Sequence, residues 1–136
     1  MTTNPAELPP LKILLNQLDW NLQWLQQMEK NELTDYYRDA ALQRFEFTFS
    51  TAVKCIQAGA LKQNMTCESP EECFALAERV EWFSEGTAWK DMIQDHEKMK
   101  PESASKNADA IFSNLKKYRE QLKTLFERLS QLEQNS

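Results

Sequence analysis

The sequence has little glycine, one histidine and no long apolar run. Glycine occurs only twice in 136 residues, and the hydrophobic residues recur at helical spacing, so the sequence predicts an all-α domain with few tight turns. No apolar run approaches the roughly 20 residues that span a bilayer, so we expect no membrane helix. The single histidine, His96, and the scattered cysteines lack the spacing of a zinc site, and no glycine-rich phosphate loop is present. We therefore predict no metal and no cofactor.

The cysteines Cys55, Cys67 and Cys73 are odd in number. No charged-then-apolar leader with a cleavage site precedes the body of the chain. From both observations we predict a reduced, cytoplasmic protein.

Acidic residues outnumber basic residues by 21 to 16, which gives a net charge of −5. This balance excludes a protein whose whole surface binds nucleic-acid phosphates, although it allows a local basic patch. One basic cluster lies near the end of the chain, but Glu120 and Glu127 interleave with it, so we interpret it as a solvated helix face. The cluster consists of Lys116, Lys117, Arg119 and Lys123.

The length suits one domain, and residues 1–9 are predicted to be a flexible polar tail. A first helix with a leucine stripe is predicted from Pro10 to about Lys30. Thr34 and Asp35 can cap a second helix. We predict that this helix ends near Gly59, because glycine readily adopts the left-handed conformation of a helix terminus.

The segment Ser69–Glu72 combines an N-cap serine with proline at the first helical position, which predicts the start of a third helix. This helix is predicted to include Phe83 and to be interrupted at Gly86 before a short helical continuation. A last helix is predicted from Ser103 or Ser105, with an apolar seam that suits an antiparallel bundle or a dimer. The predicted fold is an all-α, up-and-down four-helix bundle with a broken third helix.

Charged residues stand among three phenylalanines, Phe45, Phe47 and Phe49, in the predicted second helix. A plain core helix avoids charges such as Arg44 and Glu46 unless they are paired. These two residues are about 200 degrees apart around a helix, so they cannot pair with each other. Each of them needs a partner on another element.

This segment, LQRFEFTFS, resembles the "IQRFEFTFE" helix of the nucleotidyltransferase substrate-binding proteins, a branch of the HEPN superfamily of small helical domains. The stretch Trp89–Asp95 resembles the family's "W-x-D-M-L-x-D-R-N" segment. The resemblance covers most of the chain. It implies a helical domain that forms a homodimer and is encoded beside a minimal nucleotidyltransferase.

The chain departs from the related HEPN ribonucleases after Asp95. In those proteins an arginine and a histidine act on the RNA backbone, and a tyrosine can receive a nucleotide from the partner transferase. By ungapped alignment His96 replaces the arginine, Pro101 the histidine and Ser103 the tyrosine, so the R-x4-6-H motif is degenerate. Proline cannot replace histidine as a general acid or base, and serine lacks the aromatic reach of tyrosine. The resemblance therefore implies an inherited scaffold and partner rather than an inherited ribonuclease site.

The four tryptophans favour core and interface positions over a platform for nucleobases. Trp20 and Trp24 are four residues apart, on a face that is offset from the leucine stripe. They widen the apolar surface beyond the needs of one bundle, which favours a subunit interface. The homodimer implied by the resemblance is the first candidate for it.

We predict a ligand or partner cleft in which Arg44 or Glu46 meets an aspartate of the broken third helix. The alternative is a structural ion pair that fixes the register of helices two and three. His96 is the one catalytic candidate, because imidazole titrates near neutrality, and the alternative is a solvated loop residue. The predicted cleft residues are Arg44, Glu46, Trp89, Asp91, Asp95 and His96.

The predicted function is a non-catalytic binding subunit that forms a homodimer and associates with a minimal nucleotidyltransferase, in a pair of the toxin–antitoxin type. It would shape the nucleotide or substrate site of the transferase, and binding of a nucleotide or RNA fits this role. One alternative is a toxin-type ribonuclease with an altered catalytic set around His96. Another is a stand-alone helical adaptor.

Overall fold

The computed structural model describes residues 8–28, 34–84, 86, 88–99 and 104–135, and of residues 104–106 the backbone alone. These ranges contain six helices and no strand, which confirms the predicted all-α bundle. None of these helices is both long enough and apolar enough to cross a bilayer. The helices are α1 (Leu11–Met28), α2 (Asp35–Lys62), α3 (Pro70–Arg79), α4 (Trp89–Glu97), α5 (Ala104–Phe112) and α6 (Leu115–Gln134).

Helix α1 lies against α2 and α6 and buries the predicted leucine stripe. Its first turn is closed by the carbonyl of Pro10, which accepts hydrogen bonds from the amides of Ile13 and Leu14. Helix α2 begins as predicted, because the Thr34 hydroxyl accepts a hydrogen bond from the amide of Tyr37 at 3.2 Å. The predicted end of α1 near residue 30 and the first seven residues of the predicted tail lie outside the described residues.

The predicted end of α2 near Gly59 is wrong, because the helix continues to Lys62. A Cβ atom on Gly59 would lie 2.9 Å from Cδ2 of Leu129 and 3.3 Å from Cη2 of Trp82. Real Cβ atoms do not tolerate the shorter of these distances without a shift of the neighbour. Because Gly59 has no side chain, it leaves room for Leu129 of α6, and this space is called here the packing notch. The glycine does not mark a helix terminus.

Helix α3 begins at the predicted cap, where the Ser69 hydroxyl accepts a hydrogen bond from the amide of Glu72 at 3.1 Å. The helix ends at Arg79, before the predicted Phe83, in a Schellman motif. The amide of Trp82 bonds to the carbonyl of Ala77 at 2.7 Å, and Glu81 is left-handed with a φ of 66°. Because Glu81 takes the position usually held by glycine, no sequence signal marks this end.

Cys67 and Cys73 form a disulfide across the start of α3, so the prediction of a reduced protein is wrong for this pair. The amide of the Gln57 side chain donates to the carbonyl of Cys67 at 3.3 Å and ties the disulfide loop to α2. Cys55 remains a free thiol in the core. Burial raises the pKa of this thiol to about 12, so it is not a reactive thiolate at neutral pH.

The predicted last helix is divided into α5 and α6 at Ser113 and Asn114. The Ser113 hydroxyl donates to the carbonyl of Ala110 at 2.7 Å, a bond that competes with regular helical bonding. Arg38 of α2 fixes α5 through a bond of 3.0 Å to Asp109. The bundle therefore has two interrupted helices, where the sequence predicted one.

Aromatic side chains from α2, α3, α6 and the segment after α3 fill the middle of the bundle. Phe45 and Phe49 of α2 are almost completely buried, and their rings contact those of Tyr118 and Phe74 at 5.6 and 5.4 Å. Phe83 lies edge-on against Phe74 at 5.4 Å. Two of the three predicted phenylalanines thus belong to the core, whereas Phe47 is exposed.

Replacement of Gly59 by alanine tests the packing notch. Glycine to alanine in a helix ordinarily gains about 1 kcal/mol of stability. We expect the opposite sign here, a loss of about 1 kcal/mol in the free energy of unfolding, because overpacking costs about 1–3 kcal/mol. Urea denaturation measures it. Ser50→Ala at an exposed position of α2 is the control and should stabilise slightly. A Gly59→Ala protein as stabilised as the control would show that no notch exists.

Candidate functional site

Helix α2 separates the two predicted charges, Arg44 and Glu46. Arg44 faces α1, where its guanidinium carbon lies 4.6 Å from the ring centre of Trp24 and 5.3 Å from that of Trp20. One of its terminal nitrogens donates to the side-chain oxygen of Asn21 at 3.0 Å. Asn21 is itself held in place, because its amide nitrogen donates to the carbonyl of Gln17 at 2.9 Å. Arg44 is thus fixed in position by aromatic faces and a neutral amide.

Arg44 does not form the ion pair considered as a structural alternative. Among the residues that the structure describes, no carboxylate lies within 4.0 Å of its guanidinium nitrogens. It is also not brought together with Asp91 or Asp95, since its contacts are on α1. Within the described part of the chain, a half-buried positive charge therefore stands without a negative partner at that distance.

The surface around Arg44 is an open groove of about 580 Å³ between α1 and α2, called here the Arg44 groove. Its apolar lining consists of Ile13, Trp20 and Phe47, and these side chains are 48%, 60% and 55% exposed. Its polar lining, besides Arg44, consists of Asn16, Gln17, Asn21 and Thr51. The prediction that Trp20 and Trp24 widen the apolar surface beyond the core is confirmed for Trp20, whereas Trp24 is partly buried and packs against the core.

Asp95 lies on the other side of α2, where it joins α4 to α6. One of its carboxylate oxygens accepts a hydrogen bond of 2.5 Å from the Tyr118 hydroxyl and one of 3.1 Å from the Asn114 side chain. The Lys98 ammonium lies 4.0 Å from the other oxygen. Burial, together with the adjacent carboxylate, raises the pKa of Tyr118, so the phenol stays protonated as the donor.

His96 lies flat on Phe49, with ring centres 3.9 Å apart and ring planes 11° apart. Burial lowers the pKa of His96 from 6.5, and the negative charges of Glu46 and Glu97 act more weakly in the opposite direction. The imidazole is therefore neutral at pH 7. Because the negative charge of Glu46 acts on His96, Glu46 is on the same side of α2 as His96.

Trp89 and Asp91 occupy the first turn of α4. The Trp89 indole is buried, donates to a carboxylate oxygen of Glu78 at 2.8 Å and lies edge-on against Phe74. These contacts hold α4 against α3. Asp91 is exposed to solvent.

The structure thus gathers Glu46, Asp95 and His96 where α4 lies against α2 and α6, and places Arg44 elsewhere. Asp95 and its two hydrogen-bond donors, Tyr118 and Asn114, are called here the Asp95 cluster. The sequence predicted neither donor as a site residue. The only signal for Tyr118 was its place on the apolar seam of α6. Pro101 and Ser103, the residues aligned with the ribonuclease histidine and tyrosine, lie outside the described residues. The part of the chain that is described contains no group of three or more acidic, cysteine or histidine side chains suited to a metal ion.

Two comparisons relate the chain to known proteins. A family described as "Nucleotidyltransferase substrate binding protein like" matches residues 13–131. The crystal structure of a protein from Thermus thermophilus is similar, with a TM-score of 0.75 and 28% sequence identity. That match covers 82% of this chain and 98% of the other. No curated protein matches the chain.

Tyr118→Phe tests how strongly the Asp95 cluster joins α4 to α6. The change removes one donor from a buried carboxylate, and hydrogen bonds to charged groups contribute about 1.5–3 kcal/mol. We expect the free energy of unfolding to fall by about that amount. Chemical denaturation at neutral pH measures the loss. Tyr36→Phe is the matched control, because Tyr36 is 76% exposed, and it should change little. Equal stability of the two variants would show that the bond contributes nothing.

The pH dependence of unfolding tests the environment of His96. Its pKa is lower in the folded than in the unfolded protein, so the unfolded state binds more protons between 6.5 and the folded pKa. This contribution to stability is complete above pH 6.5 and is lost as the pH falls below it. We expect His96→Gln to lose less stability than the wild type between neutral pH and about pH 5, as measured by urea denaturation. Identical pH slopes would contradict the burial of a neutral imidazole.

Proposed function

Because the chain belongs to the nucleotidyltransferase substrate binding protein-like family, we propose that it is a non-catalytic helical subunit of a separately encoded minimal nucleotidyltransferase. In this proposal the subunit forms a homodimer and acts in the cytoplasm, in a pair of the toxin–antitoxin type. The observation that carries the proposal is the family match over residues 13–131, which spans all six helices apart from the ends of α1 and α6.

The arrangement of acidic side chains supports a division of labour. Nucleotidyl transfer ordinarily uses metal ions that clamp the phosphates, and these ions need converging carboxylates. The carboxylates of the described residues do not converge in this way. Asp95 is engaged by Tyr118 and Asn114. The transferase therefore supplies the metal-binding carboxylates, and the bundle supplies surfaces that shape the nucleotide or substrate site.

The surface around Asp95 and His96 is the proposed cleft for substrate or RNA beside the transferase. Here Glu46, Asp91 and His96 are at least partly accessible, while Trp89 and Asp95 hold the helices behind them. Buried contacts of this kind fix the positions of the residues that line a cleft and take no part in a chemical step. The role of the cluster is therefore positional.

The alternative, a ribonuclease centred on His96, is less supported because the aligned positions of the other two catalytic residues hold Pro101 and Ser103. A neutral imidazole can accept a proton, but proline cannot act with it as a general acid or base. The alternative predicts RNA cleavage by the purified chain and its loss in His96→Ala. The proposed function predicts neither.

Co-expression with the transferase encoded next to this chain tests the proposal. We expect one mixed assembly, with a mass in light scattering after size-exclusion chromatography that accounts for copies of both chains. The His96→Ala variant should form the same assembly, because the proposed role uses no chemistry of this residue. Separate elution of the two chains would overturn the proposal, and RNA cleavage by the chain alone would then favour the alternative.

A further inference from the structure

We infer that the Arg44 groove is the surface on which the transferase docks, and that it receives a carboxylate flanked by an apolar side chain of that partner. The inference rests on the proposed function, since it names the place and the chemistry of the contact. It differs from the expectation drawn from the sequence, which assigned Trp20 and Trp24 to the homodimer interface.

Exposed apolar side chains are concentrated in the Arg44 groove. The described residues expose five large hydrophobic side chains, and three of them, Ile13, Trp20 and Phe47, line the one groove. Single exposed hydrophobic residues are ordinary, but a contiguous patch marks an interaction site. Tryptophan and arginine are also the residues that most often dominate binding energy at the centre of an interface. The groove has both, and the guanidinium of Arg44 lies over the indoles of Trp20 and Trp24.

The charge of Arg44 restricts what can bind in the groove. Its guanidinium has five N–H donors, and the side chain of Asn21 accepts one hydrogen bond from it. The other polar side chains of the lining, such as Asn16 and Thr51, are neutral. Covering the groove with an apolar partner alone would bury an unpaired charge, which is costly. A carboxylate on the partner removes this cost, because arginine binds carboxylates through two parallel hydrogen bonds.

The same charge argues against a second copy of this chain as the occupant. In a two-fold dimer centred on the groove, the same patch would face itself. The two Arg44 residues would then approach each other in a surface whose described lining has no acidic side chain. Like charges in a desolvated interface repel strongly. The homodimer of the proposed function therefore uses another surface.

Two variants with matched controls test the inference in the complex with the transferase. Trp20→Ser removes an exposed ring, and Arg44→Met removes the charge while keeping an unbranched side chain. We expect each variant to bind the transferase more weakly, with a dissociation constant raised by about tenfold or more, as is found when hot-spot residues are replaced. The controls are Tyr36→Ser and Arg79→Met, an exposed ring and an exposed arginine that do not line the groove. They should bind like the wild type.

Isothermal titration calorimetry gives the dissociation constants, and light scattering gives the mass of each variant alone. Trp20→Ser changes a side chain that is 60% exposed, so its folding should be intact, and thermal denaturation checks this for both variants. We expect the mass of each variant alone to equal that of the wild type. A carboxylate-to-lysine change on the transferase that restores binding to Arg44→Glu would identify the partner residue.

The contrary outcomes separate the inference from the proposed function. If the wild type and both folded variants bind the transferase with the same dissociation constant, the groove is not the docking surface and the proposed function stands. If Trp20→Ser instead turns a dimer into a monomer, a second copy occupies the groove and the inference is overturned. If the wild type does not bind the transferase, both fall together.

Discussion

The packing of α2 against four other helices is the constraint on which the rest of the structure depends. This helix has 28 residues and contacts α1, α3, α5 and α6. Phe45 and Phe49 fill the core from its middle, and the absence of a side chain at Gly59 lets Leu129 of α6 approach its last turns. Interiors packed at this density transmit a shift of one helix to its neighbours. The orientation of α2 therefore positions Arg44 and, through Phe49, the imidazole of His96.

Because both surfaces of interest are built on α2, their spacing is fixed by one rigid element. Arg44 projects towards α1 and forms the centre of the Arg44 groove, while Phe49 backs the imidazole of His96 on the other side. About five residues of helix, or roughly one and a half turns, separate these two anchors. A partner bound in the groove would thus lie at a defined distance from Asp95 and His96. That geometry suits a subunit that presents something to a neighbouring enzyme.

Local signals in the sequence predicted the helix starts better than the helix ends. The caps at Thr34 and Ser69 act within three residues of themselves, so they are visible in sequence. The end of α3 depends on Glu81 in a left-handed conformation, which has no compositional signal. Gly59 carries the usual signal for a helix end, but the close approach of Leu129, 70 positions away, gives it another role. Pairing of Cys67 with Cys73 was equally invisible, because an odd number of cysteines suggested that none was bonded.

The candidate site shows the same division between local and distant information. Helical spacing alone established that Arg44 and Glu46 face different ways. It could not tell which neighbours they meet, because Arg44 reaches Trp24 and Asn21 on a different helix, and Asp95 meets Tyr118 across 23 positions of sequence. The overall charge of −5 also misleads, since it hides a half-buried arginine, Arg44, that has no acidic partner within 4.0 Å among the described residues. An acidic protein that keeps a positive charge in an exposed apolar groove is suited to a partner that brings a negative one.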